Sequence, residues 1–204
     1  MKKGFIFFVL LVACGFLLSF INTSISQEVG LNAPVPMPEE KMKDVSGKDV
    51  SLSNVKTDKG LLVIFSCNTC PYVKLSESRI KEVSDNCAKQ GIGCIIINSN
   101  EAQRSDDDSF DAMTKYATAQ HYTCPYVLDV NSKLADAFGA TRTPQCFLFS
   151  SKGLIYKGAI DDNVKDPAAV KTHYLMDAVN ALAKNETPKL QETKSIGCTI
   201  KRVE

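Results

Sequence analysis

Histidine is scarce in this 204-residue chain, which has only His121 and His173. A metal centre built on imidazole therefore has little to draw on. An excess of charge is missing too: 24 Lys and Arg face 23 Asp and Glu, for a formal charge of +1. With no basic stripe in the sequence, nothing supports nucleic-acid binding. No Cys-x-x-Cys-His haem attachment is present, because Pro71 follows Cys70. The acidic runs Asp106-Asp107-Asp108 and Asp161-Asp162-Asn163 lack EF-hand spacing and read as solvated turns. Internal repeats are absent, and no composition shift marks a second domain. No cofactor and no metal site is expected from these residues.

Cysteine is what the chain does have, with eight residues. A chain this long and apolar is not a small scaffold held by disulfides, so the count points to thiol chemistry plus buried bystanders. Leu61-Leu62-Val63-Ile64 is a continuous β-prone run, the pattern of a strand buried on both faces. Phe65-Ser66-Cys67-Asn68-Thr69-Cys70-Pro71 follows it. From Tyr72 to Lys89 the residues Val73, Ile80, Val83 and Cys87 recur at roughly helical spacing. Pro71 suits the first helical turn, where a missing N–H costs nothing. Cys67 and Cys70 thus stand where a buried strand hands over to a helix. A helix N-terminus favours the thiolate, the reactive form of cysteine.

The N-terminus reads as a targeting segment. Met1-Lys2-Lys3 is basic, Gly4 to Phe20 is almost wholly apolar, and Ser24-Ile25-Ser26 offers small residues to a signal peptidase. Residues 1–26 are read as a signal peptide and 27–204 as one domain with a C-terminal tail. Two alternatives are an uncleaved anchor and a lipoprotein with Cys14 of Leu11-Val12-Ala13-Cys14 as the lipidated residue. All three place the domain outside the cytoplasm, in the periplasm or at the envelope, where disulfides persist.

Beyond residue 27 the lead-in is extended, with Pro34, Pro36 and Pro38 alternating. Two short β-like pieces, Met42 to Val45 and Asp49 to Leu52, flank Ser46-Gly47-Lys48. After the cysteine motif and its helix, Cys94 to Ile97 is a second buried strand, which needs a right-handed crossover and a parallel pair. A helix over Phe110–Ala117, a strand at Tyr126–Leu128 and a helix from Lys133 to Phe138 come next. Cys146–Phe149 and Leu154–Tyr156, joined by Ser151-Lys152-Gly153, predict a hairpin. A last helix is expected from about Pro167 to Ala183, with Val170, Tyr174, Val179 and Leu182 inward. A polar tail then carries Ile196-Gly197-Cys198-Thr199-Ile200.

This arrangement resembles the thioredoxin-like superfamily over nearly the whole chain after residue 26. Gly30-Leu31-Asn32-Ala33-Pro34 and Ser46-Gly47-Lys48-Asp49-Val50-Ser51-Leu52 look like its redoxin branch, which holds exported TlpA-type thiol oxidoreductases and peroxiredoxins. Cys67 to Val73, Gly139 to Pro144 and Gly158 to Asn163 look closer still to a peroxiredoxin-like thioredoxin family. The resemblance implies an α/β thioredoxin-like fold, a central mixed β-sheet with helices on both faces. It sets Pro144 as the cis-proline beside the thiols, with Thr143 and Pro144 shaping a substrate groove. Counted from Phe65, Cys70 falls where TlpA-type proteins hold their attacking thiol, while their second position falls on Val73. The peroxiredoxin pattern matches at Cys70-Pro71, but Cys67 replaces its threonine or serine and Pro144 its arginine, with Arg142 two residues away.

The activity expected is thiol–disulfide exchange on protein thiols or disulfides, with Cys70 attacking, Cys67 resolving and a membrane or periplasmic electron donor as partner. The alternative is a thiol peroxidase with Cys70 peroxidatic and Cys67 resolving. A third, non-enzymatic reading is a copper-binding or redox-sensing module of the Sco type. Cys87 and Cys94 read as core residues; Cys124, Cys146 and Cys198 are unassigned, and sequence does not pair them. The export reading has a direct check. N-terminal sequencing of the protein from the native envelope fraction should begin near Gln27. A lipid-modified start at Cys14 would select the lipoprotein reading, and a full-length cytoplasmic chain would refute export.

Overall fold

The computed structural model describes residues 27–203. The expected signal peptide and Cys14 lie outside the described residues. In chain order the elements are β1 (Met42–Lys43), β2 (Asp49–Val50), α1 (Leu52–Val55), β3 (Leu61–Ser66), α2 (Pro71–Lys74), α3 (Glu77–Gln90), β4 (Gly93–Asn98) and α4 (Phe110–Ala119). Then follow β5 (Tyr126–Leu128), α5 (Lys133–Phe138), β6 (Arg142–Thr143), β7 (Gln145–Ser150), β8 (Gly153–Gly158), α6 (Tyr174–Ala183) and β9 (Cys198–Thr199).

The main sheet has the order β5-β4-β3-β7-β8. β3 runs parallel to β4, and β4 to β5. β7 is antiparallel to both β3 and β8. Every residue of β3 and β4 is buried, as their uninterrupted apolar runs require of strands covered on both faces. Strand alternation sorts the side chains between two cores. Leu62, Ile64 and Ile96 face α3, α4 and α6 through Ile80, Met113, Val179 and Leu182. Leu61, Val63, Phe65 and Ile97 face α1 and α5 through Leu52, Leu134 and Phe138. The fold is the thioredoxin-like α/β fold, with a mixed sheet covered on both faces.

Three elements depart from their expected form. The piece expected to remain β-like through Leu52 turns into α1, because Ser51 and Asn54 close a capping box: Asn54 N–H donates to Ser51 Oγ and Ser51 N–H to Asn54 Oδ1. The helix expected from Tyr72 to Lys89 is broken into α2 and α3. Its break is held by Arg79, whose guanidinium donates to the Leu75 carbonyl (2.7 Å) and lies 3.4 Å from Ser76 Oγ. α3 then ends at Gly91, whose φ of 72° suits a residue without a β-carbon. The last helix starts at Tyr174 rather than near Pro167, where only a short 3₁₀ turn forms. Asp162 accepts the backbone N–H groups of Lys171 (3.0 Å) and Thr172 (3.1 Å) and so keeps those residues out of a helix.

Phe138 anchors the α5 side. Its ring meets Phe65 at 5.3 Å, Phe147 at 5.2 Å and Phe149 at 5.9 Å, all edge-on, and it is fully buried. Phe138→Ala should lower the unfolding free energy by about 3–5 kcal/mol, from lost burial and the cavity left behind. Urea titration should show an earlier midpoint with an unchanged slope.

Candidate active site

β3 delivers the chain to the site. It ends at Ser66, and the loop Cys67-Asn68-Thr69 leads to Cys70, the N-cap of α2, with Pro71 as first helical residue. A buried polar network holds this loop. Asp108 Oδ1 accepts from the Asn68 backbone N–H (2.9 Å) and Asn98 Nδ2 (2.7 Å), while its Oδ2 accepts from Asn100 Nδ2 (2.9 Å). Asn68 Oδ1 accepts from the Tyr126 hydroxyl at 2.9 Å, and Asn68 Nδ2 donates to the Asp107 carbonyl at 2.8 Å. A fully hydrogen-bonded buried network of this kind fixes the backbone that carries both thiols.

The second wall comes from the other side of the sheet. β7 pairs with β3 so that Gln145 lies opposite Phe65. Continuing that register sets Thr143 and Pro144, joined by a cis peptide bond, against the cysteine loop. Cys67 Sγ is 3.5 Å from Thr143 Oγ1, and Cys70 Sγ is 3.1 Å from the Thr143 carbonyl, to which the protonated thiol donates. Both thiols are buried, at 1% and 3% exposure. The structure thus brings together Cys67, Cys70, Thr143 and Pro144.

The two thiols are unequal. The Cys67 S–H donating to its sulfur is the main reason that Cys70 is lowered to about 4, against the opposing cost of burial; Cys198 and the Thr143 side chain add further hydrogen bonds to it. Cys67 moves the other way, held protonated by that same hydrogen bond, by burial and by the nearby Asp108 carboxylate. Of the two thiols, Cys70 is the more easily ionised and Cys67 the one that keeps its proton longer. α2 has a single turn before the chain breaks, so the thiolate rests chiefly on hydrogen bonds from neighbouring side chains rather than on a long helix.

Two acidic turns are also corrected. Asp108 is fully buried, serving the cysteine loop rather than solvent, and Asp161 is buried in an ion pair with Arg79. Asp108 was hidden from sequence reading by the two aspartates before it. The available signal was its place after β4, at the strand end nearest the cysteines. Arg142 is exposed and turns toward the tail, donating to the Gly197 carbonyl (3.4 Å) and Thr199 Oγ1 (3.1 Å).

The remaining thiols divide by location. Cys146 is in the core with Leu62 and Ile64. Cys94 is buried in the same core as Cys87, with Cys124 packed against it, and donates to Ser84 Oγ at 3.6 Å. Cys198, in β9, reaches the site itself. His121 and His173 are exposed, and among the described residues no cluster of three or more His, Cys, Asp or Glu is arranged to hold a metal ion.

A mixed sheet of this order, with a two-cysteine loop after its central strand and a cis-proline segment facing it, defines a thioredoxin-like, redoxin-type protein. The chain belongs to the AhpC/TSA family, whose profile matches residues 34–158. That family places it among thiol oxidoreductases and peroxidases in general. Among solved structures it is similar to a hypothetical protein from Sinorhizobium meliloti, at 30% identity and TM-score 0.75, covering 87% of this chain and 98% of that one. An uncharacterized conserved protein from Geobacillus kaustophilus shares 28% identity at TM-score 0.75, with 83% and 93% covered. A thioredoxin-like protein in the oxidized form, 18% identical with TM-score 0.58 and 75% and 96% covered, shares the fold. Among curated proteins none matches the chain.

The unequal thiols have a spectroscopic consequence. The thiolate ultraviolet absorbance lost in Cys70→Ser should titrate near pH 4, whereas an ordinary cysteine titrates near about 8.5. Because the folded state depresses this pKa, the associated stability is present above the unfolded value and is lost as pH falls toward about 4.

Proposed function

We propose that the protein catalyses thiol–disulfide exchange through Cys67 and Cys70. The observation that carries this reading is the geometry of the pair: two buried thiols in one strand-to-helix loop, with Cys67 Sγ 3.5 Å from Thr143 Oγ1 and Cys70 Sγ 3.1 Å from the Thr143 carbonyl, Cys70 being the one whose ionisation is favoured. The Cys70 thiolate attacks one sulfur of a substrate disulfide, forming a mixed disulfide and releasing the other sulfur as a thiolate. With the charge on Cys70 gone, Cys67 gives up its proton to the leaving thiolate and attacks Cys70 Sγ. The second substrate thiol departs, and a Cys67–Cys70 disulfide remains. The substrate gains two electrons, and a donor dithiol must return them to the pair. Every step is reversible. A stabilised Cys70 thiolate favours the dithiol state, so the disulfide form is poised to oxidise its partner.

Protein thiols or disulfides fit this reading as substrates, with Thr143 and Pro144 as the segment they meet. Export, with a membrane or periplasmic electron donor, belongs to the same proposal. Thiol peroxidation is the second reading, favoured by the AhpC/TSA match and by Cys70-Pro71. Against it stands Arg142, which is turned to the tail rather than to Cys70, so it does not supply the cation that would polarise a peroxide there.

A paired assay separates the two. Exchange with a small disulfide, driven by dithiothreitol, should outpace hydrogen peroxide consumption by about tenfold or more, and Cys70→Ser should lose about 100-fold of the exchange rate. Peroxide consumption faster than exchange, with a sulfenic acid accumulating at Cys70 in Cys67→Ser, would replace this reading with peroxidation.

A further inference from the structure

The C-terminal tail does not hang free. β9 pairs antiparallel with β6, and Cys198 is the residue opposite Thr143. That edge belongs to the cis-proline segment, where a substrate strand would add itself by main-chain pairing. Here the chain's own strand occupies it. Ile200 N–H donates to the Thr141 carbonyl at 3.1 Å, and Lys201 N–H to Asn100 Oδ1 at 2.9 Å. Ile200 itself is buried in the core on the α5 side. Gly197 lies so close to Thr143 that a β-carbon there would overlap its carbonyl. The tail is therefore seated by backbone pairing, an apolar anchor and a close approach that glycine permits.

This seating brings a third thiol to the pair. Cys198 lies directly across the ladder from Thr143, whose carbonyl is 3.1 Å from Cys70 Sγ, so the tail sets its thiol beside the reactive sulfur. We propose that Cys198 is a third redox-active cysteine of this site, which forms a disulfide with Cys70 in place of Cys67, the tail serving as a built-in substrate strand. The proposal rests on the exchange reading above, since it needs a reactive Cys70.

The step balances without a further reagent once Cys70 carries a mixed disulfide with a thiol compound. Cys198 loses its proton and its thiolate attacks Cys70 Sγ. The Cys70–Cys198 bond forms, the bond to the compound breaks, and the departing thiolate takes the proton. With oxidised glutathione as probe, the net change is two protein thiols oxidised and one glutathione disulfide reduced to two thiols. In the resting site burial, then the hydrogen bond to Cys70 and the charge on Cys70, keep the Cys198 thiol protonated, up to about 11. Bonding Cys70 to sulfur removes that charge, so Cys198 becomes easier to ionise at the moment it is needed. Cys67 is released by the same event, and the two thiols compete for one sulfur.

The test is peptide mapping after oxidised glutathione, using Cys67→Ser, Cys67→Ser with Cys198→Ser, and the unaltered chain. Cys67→Ser should yield a peptide linked through Cys70 and Cys198, with a glutathione adduct at Cys70 at least about tenfold shorter-lived than in the double variant, because the intramolecular thiol is held in place. The unaltered chain should show the same linked peptide beside the Cys67–Cys70 one, which keeps the test open if Cys67→Ser folds poorly. Gly197→Val combined with Cys67→Ser retains every thiol that the single variant has but lifts β9, and should prolong the adduct again. An adduct at Cys70 that lasts as long in Cys67→Ser as in the double variant, with Cys198 of Cys67→Ser still open to alkylation, would overturn the proposal and leave exchange standing. No adduct and no disulfide at Cys70 in any chain would overturn both.

Discussion

The antiparallel pairing of β7 with β3 is the constraint on which the site depends. It fixes Gln145 opposite Phe65, and two residues further along the same register Thr143 meets Cys67. A slip of one residue would turn every β7 side chain to the other face, taking Phe147 and Phe149 out of the aromatic cluster around Phe138. The cost of disrupting that core keeps the register in place. The contacts between Thr143 and the two thiols are held by hydrophobic packing on the far side of the sheet.

Polar chemistry supplies what packing does not. Asn68, Asn98, Asn100 and Tyr126 surround Asp108 and together hold the loop that carries the cysteines. The same carboxylate helps to keep Cys67 protonated, while Cys67 in turn stabilises the charge on Cys70. One buried acid thereby acts on the reactive sulfur through its neighbour. The short α2 contributes position rather than field: it places Cys70 at its start and then stops, because Arg79 takes the Leu75 carbonyl and pairs with Asp161.

An exposed strand edge beside a reactive thiol invites pairing with other chains. Here β9 occupies that edge, with Arg142 and Arg202 tying the tail down through Thr199 and Asp136. The burial of Cys70, despite its place at a loop, fits a site partly closed by its own chain. A substrate strand that paired with Thr143 in the way proposed above would have to displace β9, which already pairs there.

How much was legible in the sequence depends on the range of the interaction concerned. The buried strands β3 and β4, the hairpin of β7 and β8, and the cysteine loop at a strand-to-helix junction follow from local pattern, since apolar runs, turn residues and Pro71 act on their immediate neighbours. The resemblance added the cis-proline and the fold, and both stand. The breaks before α3 and α6 were not legible, because Arg79 and Asp162 satisfy backbone groups in place of the helix. The role of Asp108 was not legible either: burial separates it from the identical residues beside it, and burial is a property of the assembled loops. The tail shows the limit most plainly. Gly197-Cys198 reads as a polar terminus with a spare thiol, and only the β6–β9 pairing, across more than fifty residues of chain, brings that thiol to Cys70. The sequence by itself determined which residues could carry thiol chemistry, and the tertiary structure decided which thiols meet, because hydrogen-bond partners distant in the chain are chosen by packing.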